Sequence, residues 1–156
     1  MTKPLVVSVD QASPLKMVGE EVTILASSAQ TGSYEIFRQA GPEGSGPPPH
    51  SHAWDEAFYV ISGEVAFGVD DQQELVARAG TLVHVPGGST HWFRFGPAGG
   101  EMISMTSSEG ASAFFTEVDR DVSPVDPDLG ALVGIAAAHK IDIPIPACVT
   151  QRARLS

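Results

Sequence analysis

The chain contains the stretch Pro47-Pro-Pro-His50-Ser-His52-Ala-Trp-Asp-Glu56, which places two histidines and a glutamate within seven residues. Alternate side chains of an extended strand lie on one face, so His50 and His52 point the same way. Glu56 joins them if the extended conformation holds through Trp54. The three prolines stiffen the approach. The pattern therefore predicts two imidazoles and a carboxylate on a common face.

A second stretch, Gly80-Thr-Leu-Val-His-Val-Pro86-Gly-Gly88-Ser-Thr-His91, predicts a strand, a Pro-Gly-Gly turn and a new strand that opens with His91. If the two stretches pair across a barrel, this third imidazole meets the first two. Apolar residues continue from the histidines on the same strand faces. We expect four of them to line a partly dry substrate pocket: Phe58, Val60, Phe93 and Phe95.

Three neutral imidazoles and one carboxylate suit one divalent transition metal, namely iron, nickel, manganese, cobalt or zinc. Bound to His50, His52, Glu56 and His91, the ion would give a net site charge of about +1. Four protein ligands leave room for water or substrate, which is typical of a catalytic centre. The alternative is that these histidines are solvent-facing residues on a polar loop.

The rest of the first two thirds of the chain reads as short β-prone runs between turns. The turns at residues 62–64 and 69–72 separate apolar runs by hairpin-like distances, so neighbouring strands are expected to be antiparallel. Together the runs predict an all-β fold, closed or sandwiched. They lie at residues 22–25, 34–37, 58–61, 65–67, 74–77, 82–85, 92–95 and 102–105.

After residue 107 the sequence changes to helix formers, which predicts helices at 111–118 and 126–139, the second opening with Asp-Pro-Asp. A helix dipole favours the partly charged imidazole of His139 at the end of that helix. One face of the second helix carries apolar residues, which favours a packing cover or a dimer element over a functional segment. These residues are Leu129, Leu132, Val133 and Ala136.

Composition limits the class of protein. The 156 residues, 42% hydrophobic and 18% charged, suit one folded domain. The net charge of -10 would repel nucleic acids and anionic membranes. No apolar run approaches the roughly 20 residues of a membrane span, and residues 1–10 do not resemble a signal peptide, so we expect a cytoplasmic protein. Cys148, the only cysteine, is expected to be a small buried hydrophobe.

The motifs Gly44-x5-His50-x-His52-x3-Glu56-x6-Gly63 and Gly80-x5-Pro86-x-Gly88-x2-His91 are similar, position for position, to the two signature motifs of the cupin superfamily. The resemblance covers about residues 30–105. It implies a jelly-roll β-barrel in which the motifs lie on facing strands and the three histidines and the glutamate bind the metal. Phe95 stands where the second motif usually carries asparagine, which is not a ligand position.

This resemblance implies an all-β cupin barrel with a short C-terminal helical segment. We expect a single domain over residues 1–156, with the barrel core at about 20–106 and the helical cover at about 111–140. Residues 31–35 and 47–56 also resemble small single-domain cupins grouped with the quercetin dioxygenases. Cupins often pair through sheet edges, and exposed edges need covering, so we expect a homodimer. A strand around residues 6–9 is a candidate for exchange between subunits.

The resemblance and the site chemistry favour an oxidoreductase, a metal-dependent dioxygenase of an enolic or phenolic small molecule similar to quercetinase. Glu56 would act catalytically by helping to take the proton of the substrate hydroxyl. One alternative is a non-redox isomerase, lyase or polyketide cyclase that uses the metal as a Lewis acid. Another is a non-catalytic small-molecule-binding protein, favoured if Phe95 and its neighbours fill the pocket.

Other candidate residues are assigned structural roles. His84 could orient a metal ligand, but a satisfied core or interface histidine is the favoured interpretation. Arg38 and Arg94 are left out of the site, because strand alternation points Arg94 away from His91. Three aromatic residues could stack on a substrate, although packing between sheets or subunits is favoured: Trp54, Tyr59 and Trp92.

Overall fold

The computed structural model describes residues 3–107 and 110–144. Cys148, and the prediction made for it, lie outside these residues. Within them the chain forms seven strands, three α-helices and a short 3₁₀ turn at Val9–Gln11. The strands are β1 (Leu15–Lys16), β2 (Glu21–Ala26), β3 (Glu35–Gly41), β4 (Glu56–Val69), β5 (Leu75–Arg78), β6 (Leu82–Val85) and β7 (His91–Thr106). The helices are α1 (Ser28–Thr31), α2 (Ala111–Asp121) and α3 (Leu129–Ala138).

All seven strands belong to one antiparallel sheet. Six follow the order β1-β2-β3-β7-β4-β5, and β6 pairs with β4, which confirms the all-β fold with a C-terminal helical segment. Strands β4 and β7 pair along nearly their whole length, from Glu56 opposite Thr106 to Val69 opposite His91. The other edge of β4 pairs with β6 near its start and with β5 near its end. Strand β4 therefore joins both halves of the sheet.

The hairpin turn expected at residues 62–64 is wrong, because these residues continue β4 through a bulge. The pairing with β7 shifts register between Val60 and Ser62 and again between Gly63 and Val65. Gly63 has a φ of +75°, and a Cβ there would lie 2.3 Å from the Gly99 carbonyl oxygen. The close approach of the two strands requires glycine at this position.

The turn expected at residues 69–72 is confirmed. The amide of Gln72 donates to the carbonyl of Val69 at 3.1 Å, and Asp70 adopts a φ of +49°. Residues 92–95 and 102–105, expected as two strands, form one strand, β7, because the sheet continues through Gly99 and Gly100. Residues 3–8 form no strand in the structure, so exchange of this segment between subunits stays a prediction.

Two apolar clusters fill the interior. One lies inside the barrel, where the rings of Phe58, Phe67 and Phe93 pack with centroids 5.2–6.1 Å apart. The other joins the sheet to the helices, with Phe37 edge-on to Phe115 at 5.1 Å and Val118 buried. The helices thus cover one side of the sheet, as the apolar stripe predicted.

Helix α3 begins at Leu129, three residues later than expected, because Asp128 is its N-cap and accepts a hydrogen bond from the Ala131 amide at 3.0 Å. Its packing face includes Ile135, whereas Leu129 is 62% exposed. His139 follows the end of the helix, as expected. Its Nε2 lies 2.6 Å from Glu117 Oε2 and links α3 to α2. None of the helices in the described part of the chain is both long and apolar enough to span a bilayer.

Glu35 fastens α2 to the sheet. Its side chain is fully buried, and its carboxylate accepts hydrogen bonds from the Ser112 amide at 2.9 Å, from the Ser112 hydroxyl and from the Ser28 amide at 3.2 Å. The first amides of a helix have no partner within the helix, and a negative charge there is favourable. A single carboxylate on β3 therefore pairs with one of the free amides at the start of α2.

We expect Glu35→Ala to lower the free energy of unfolding by about 2–4 kcal/mol, because it removes charged hydrogen bonds and leaves buried amides without partners. Urea denaturation measures the change. Glu43→Ala removes the same charge from an exposed loop position and should change stability by less than about 0.5 kcal/mol. Equal stabilities of the two variants would contradict this account of Glu35.

Candidate metal centre

The two histidine-bearing stretches meet through a reciprocal backbone pair. The His50 amide donates to the His91 carbonyl at 3.0 Å, and the His91 amide donates to the His50 carbonyl at 2.8 Å. The stretch from Leu82 to His91 has the predicted strand, turn and new strand. In the turn, the Ser89 amide donates to the Pro86 carbonyl at 3.2 Å. The expected convergence of the two stretches is confirmed.

Glu56 reaches the site by a route that strand alternation did not predict. The chain bends at Ala53 and Trp54, and Glu56 is the first residue of β4. The Gly88 amide holds the bend by donating to the His52 carbonyl at 2.7 Å. A Cβ on Gly87 would lie 2.3 Å from the Ala53 carbonyl oxygen, so the turn must carry glycine where it passes the bend.

The structure brings together all four residues that the sequence proposed as metal ligands. One ligand atom from each lies within 4.8 Å of the others. Glu56 Oε2 is 3.1 Å from His52 Nε2 and 3.2 Å from His91 Nε2. The rings of His50 and His91 are 4.3 Å apart between centroids. His52 and His91 are buried, whereas His50 is half-buried.

The second ring nitrogen of each histidine is held by the backbone. A carbonyl oxygen only accepts hydrogen bonds, so each Nδ1 carries the proton and donates it. The rings are therefore fixed in orientation, and each Nε2 can bind a cation once it carries no proton. The donor set fits a divalent transition metal. The Nδ1 atoms donate to backbone carbonyl oxygens: His50 to that of Pro48 at 2.9 Å, His52 to that of Trp54 at 3.0 Å and His91 to that of Ser89 at 2.9 Å.

Burial and neighbouring charges set the protonation of the site. Burial, helped by the nearby His91, lowers the pKa of His50 to about 4. Burial would raise the pKa of Glu56, but hydrogen bonds from His52 and His91 outweigh it and lower that pKa to about 2. Burial also works against a charged His91, yet the bond to Glu56 raises its pKa. At neutral pH Glu56 is ionised and His50 is neutral, while His91 keeps its proton to higher pH than usual.

Metal binding should therefore release protons. The cation must displace the proton that Glu56 stabilises on His91, and this proton is bound more fully as the pH falls. We expect zinc affinity to increase with pH through the neutral range, with proton release greatest at the acidic end. Isothermal titration at pH 6.5 in buffers of different ionisation enthalpy measures the release. Identical heats in all buffers would contradict the expectation.

A cavity of about 370 Å³ opens beside the histidines. His50, His52 and Glu56 line one part of its wall, and most of the remaining wall is apolar. The helices contribute to this wall directly, so the C-terminal segment does more than cover the core. Its contributions come from Ala111, Phe114, Phe115, Val118, Leu129 and Leu132, followed by Ile141 and Ile143.

Two of the four predicted pocket residues, Phe58 and Phe93, line this cavity. Val60 and Phe95 do not line it. They lie in the barrel cluster beside Met102, because positions farther along β4 and β7 are deeper in the barrel. The cavity in the structure is therefore lined by Phe58 and Phe93 together with the helical wall, and which residues contact a substrate stays a prediction.

Trp54 lines the cavity and stacks on His52, with ring centroids 4.3 Å apart and planes 7° from parallel. Tyr59 is 44% exposed, and Trp92 is half-buried with the Arg94 guanidinium 5.7 Å from its ring. His84 is exposed on β6, so it is not a core histidine, and an interface role stays a prediction.

Sequence reasoning missed three polar residues of the cavity wall: Glu20, Gln39 and Arg94. Arg94 alternates away from His91, as expected, but its long side chain folds back and donates to the carbonyls of Pro47 and Phe93. Gln39 faces inward on β3, a position that strand alternation from Phe37 could have indicated.

Comparison with known proteins agrees with the geometry. The Cupin domain family model matches residues 37–104. An RmlC-like cupin from Shewanella frigidimarina has a TM-score of 0.63 at 21% identity, over 72% of this chain and 99% of that one. A predicted oxalate decarboxylase from Thermotoga maritima has a TM-score of 0.61 at 21% identity, over 66% and 98%. Residues 37–104 of the chain are thus similar to the Cupin domain, and the chain has the fold of these two solved structures.

An acireductone dioxygenase from Parasynechococcus marenigrum is 33% identical to this chain over 72 residues. The match covers 43% of this chain, and the chain spans only 39% of that relative. The two solved cupin structures share the jelly-roll fold, and at their identity the likeness concerns the fold alone. The described residues of this chain thus combine that fold with a group able to hold one metal ion.

The double variant His50→Ala/His91→Ala should lose its bound metal, falling from about one divalent ion per chain to near none, because half of the ligands are removed. Elemental analysis of purified protein, with circular dichroism to check folding, measures this. His84→Ala, which removes an exposed histidine from β6, is the matched control and should keep its metal. Unchanged metal content in the folded double variant would refute the site.

Proposed function

We propose that the protein is a metal-dependent dioxygenase of an enolic or phenolic small molecule, similar to quercetinase-type cupins. One observation carries the proposal: three imidazoles and a carboxylate converge within 4.8 Å, and two of these imidazoles and the carboxylate line a largely apolar cavity. The cavity, at about 370 Å³, has the size of a small-molecule site. The partial match to a dioxygenase supports oxygen chemistry at such a site.

A bound divalent metal would polarise an oxygen of the substrate and give access to redox chemistry with dioxygen. The residues of the chain supply the other requirements. His50, His52 and His91 present their Nε2 atoms with the opposite ring nitrogens anchored to carbonyls. Phe58 and Phe93 exclude water next to them, which strengthens electrostatic interactions with a bound anion.

Glu56 is better suited to ligation than to proton transfer. Its pKa of about 2 keeps the carboxylate ionised throughout the physiological range, so it balances part of the charge of a cation. A group with so low a pKa is a weak base at neutral pH. The catalytic role of Glu56 as proton acceptor stays a prediction, and its role as a ligand has the stronger physical support.

The donor set also suits zinc, so a non-redox isomerase, lyase or polyketide cyclase is the second candidate. The same four residues and the same cavity would serve it. A non-catalytic binding protein is the third candidate, and it is favoured if Phe95 and its neighbours fill the pocket. Phe95 lies in the barrel core instead, and the cavity is open, so this observation does not support the third candidate.

Metal analysis followed by oxygen uptake tests the proposal. We expect iron, nickel, manganese or cobalt in the active protein, and oxygen consumption with a flavonol or another enolic compound. His91→Ala should abolish the uptake, while His84→Ala should retain it. Turnover of such compounds by zinc-loaded protein without oxygen would overturn the dioxygenase and favour the non-redox candidate.

A further inference from the structure

The cavity wall contains most of the unsatisfied polar atoms of the structure. In the described ranges, four buried side-chain nitrogen or oxygen atoms have no hydrogen-bond partner. Three belong to residues that line the cavity: Glu20 Oε2, Gln39 Oε1 and Trp54 Nε1. Buried polar groups are normally paired, so unpaired groups concentrated around one cavity indicate a polar occupant.

Glu20 is held rigidly in this wall. It ends a tight turn in which the Met17 amide donates to the Glu20 carbonyl at 2.8 Å. The next residue, Glu21, starts β2 and pairs with Ala40, the neighbour of Gln39 on β3. The turn and the sheet thus fix the backbone of both residues on adjoining parts of the barrel. Neither side chain belongs to the proposed metal ligands.

The charges around Glu20 favour a neutral carboxylic acid. Burial raises the pKa of Glu20 to about 8, the nearby Glu56 carboxylate adds to the increase, and Arg94 opposes it. The Arg94 guanidinium donates to the backbone carbonyls of Pro47 and Phe93. A neutral carboxyl group both donates and accepts hydrogen bonds, and the Gln39 oxygen accepts them.

We propose that Glu20 and Gln39 form a hydroxyl-binding subsite of the cavity, which selects hydroxylated aromatic ligands over equally apolar ones. A hydroxyl group donates and accepts at once, so it can satisfy both Glu20 Oε2 and Gln39 Oε1. The aromatic part of the ligand matches the phenylalanines that line the rest of the wall. The assignment of hydroxylated aromatic compounds as substrates rests on the proposed function. The existence of the subsite rests only on the residues of the cavity wall.

The test compares 3-hydroxyflavone with its analogues that carry one additional hydroxyl group at each ring position. Binding to the metal-loaded protein is measured without oxygen, so that no turnover is needed. Trp54 fluorescence reports occupancy, and Trp92→Phe in every protein removes the only other tryptophan. The variants are Glu20→Leu, Glu20→Gln and, as a control at the adjacent exposed position, Glu21→Leu.

We expect at least one added hydroxyl to tighten binding by about 3- to 10-fold, the range of a net hydrogen bond. Glu20→Leu should abolish this gain and should change the affinity for 3-hydroxyflavone much less. Glu20→Gln, which still donates and accepts, should keep most of it, and Glu21→Leu should keep all of it. Because Glu20→Leu removes an unpaired buried group, its melting temperature without ligand should rise by about 2–4 °C.

A fall in the melting temperature of Glu20→Leu would show that the carboxyl group serves the fold, and would overturn the proposal. So would an equal loss of affinity for all the flavonols, or an absence of any gain from added hydroxyls in the unsubstituted protein. Failure of the dioxygenase proposal is recognised separately, since oxygen uptake would then be missing while the hydroxyl preference remains.

Discussion

The reciprocal backbone pair between His50 and His91 is the contact on which the rest of this structure depends. It joins two segments that are distant in the chain, and it does so at the two residues whose side chains must meet. Backbone pairing places the imidazoles without relying on flexible side chains. Folding of the barrel and formation of the site are therefore coupled, because the two backbone hydrogen bonds between His50 and His91 also set the distance between these two proposed ligands.

Much of this arrangement could be read from the sequence. The strand, turn and strand leading to His91 follow from alternation and from the Pro-Gly-Gly chemistry, which are local signals. The register shifts on either side of Ser62 and Gly63 could not be predicted in this way, since a Ser-Gly-Glu sequence also suits a hairpin. Before these shifts the buried residues of β4 have even numbers, 58 and 60, and after them they have odd numbers, 65 and 67. The choice between bulge and turn depends on β7, which is distant in the chain.

The cavity wall was the least predictable part, because it is also formed by residues that are distant from one another in the chain. Glu20 lies in a turn before β2, and no local pattern relates it to residues 50–56. Its position becomes meaningful only when the sheet brings that turn beside the histidines. Likewise, an apolar stripe indicated that the C-terminal helices pack against the sheet, but not that Phe114 and Phe115 would face an open space. The periodicity of apolar residues in a helix identifies the face that is buried, but it does not show whether that face meets a packed core or a cavity.

The helices that wall the cavity are attached to the barrel at few polar points, chiefly through Glu35 and Ser112. None of the proposed metal ligands lies on them. The proposed metal ligands thus lie in the barrel part of the molecule, whereas the helices shape the space in front of them. Substitutions in α2 or α3 can alter the size and shape of acceptable molecules while the cation-binding geometry stays intact, so the chain can acquire new selectivity without rebuilding its chemistry.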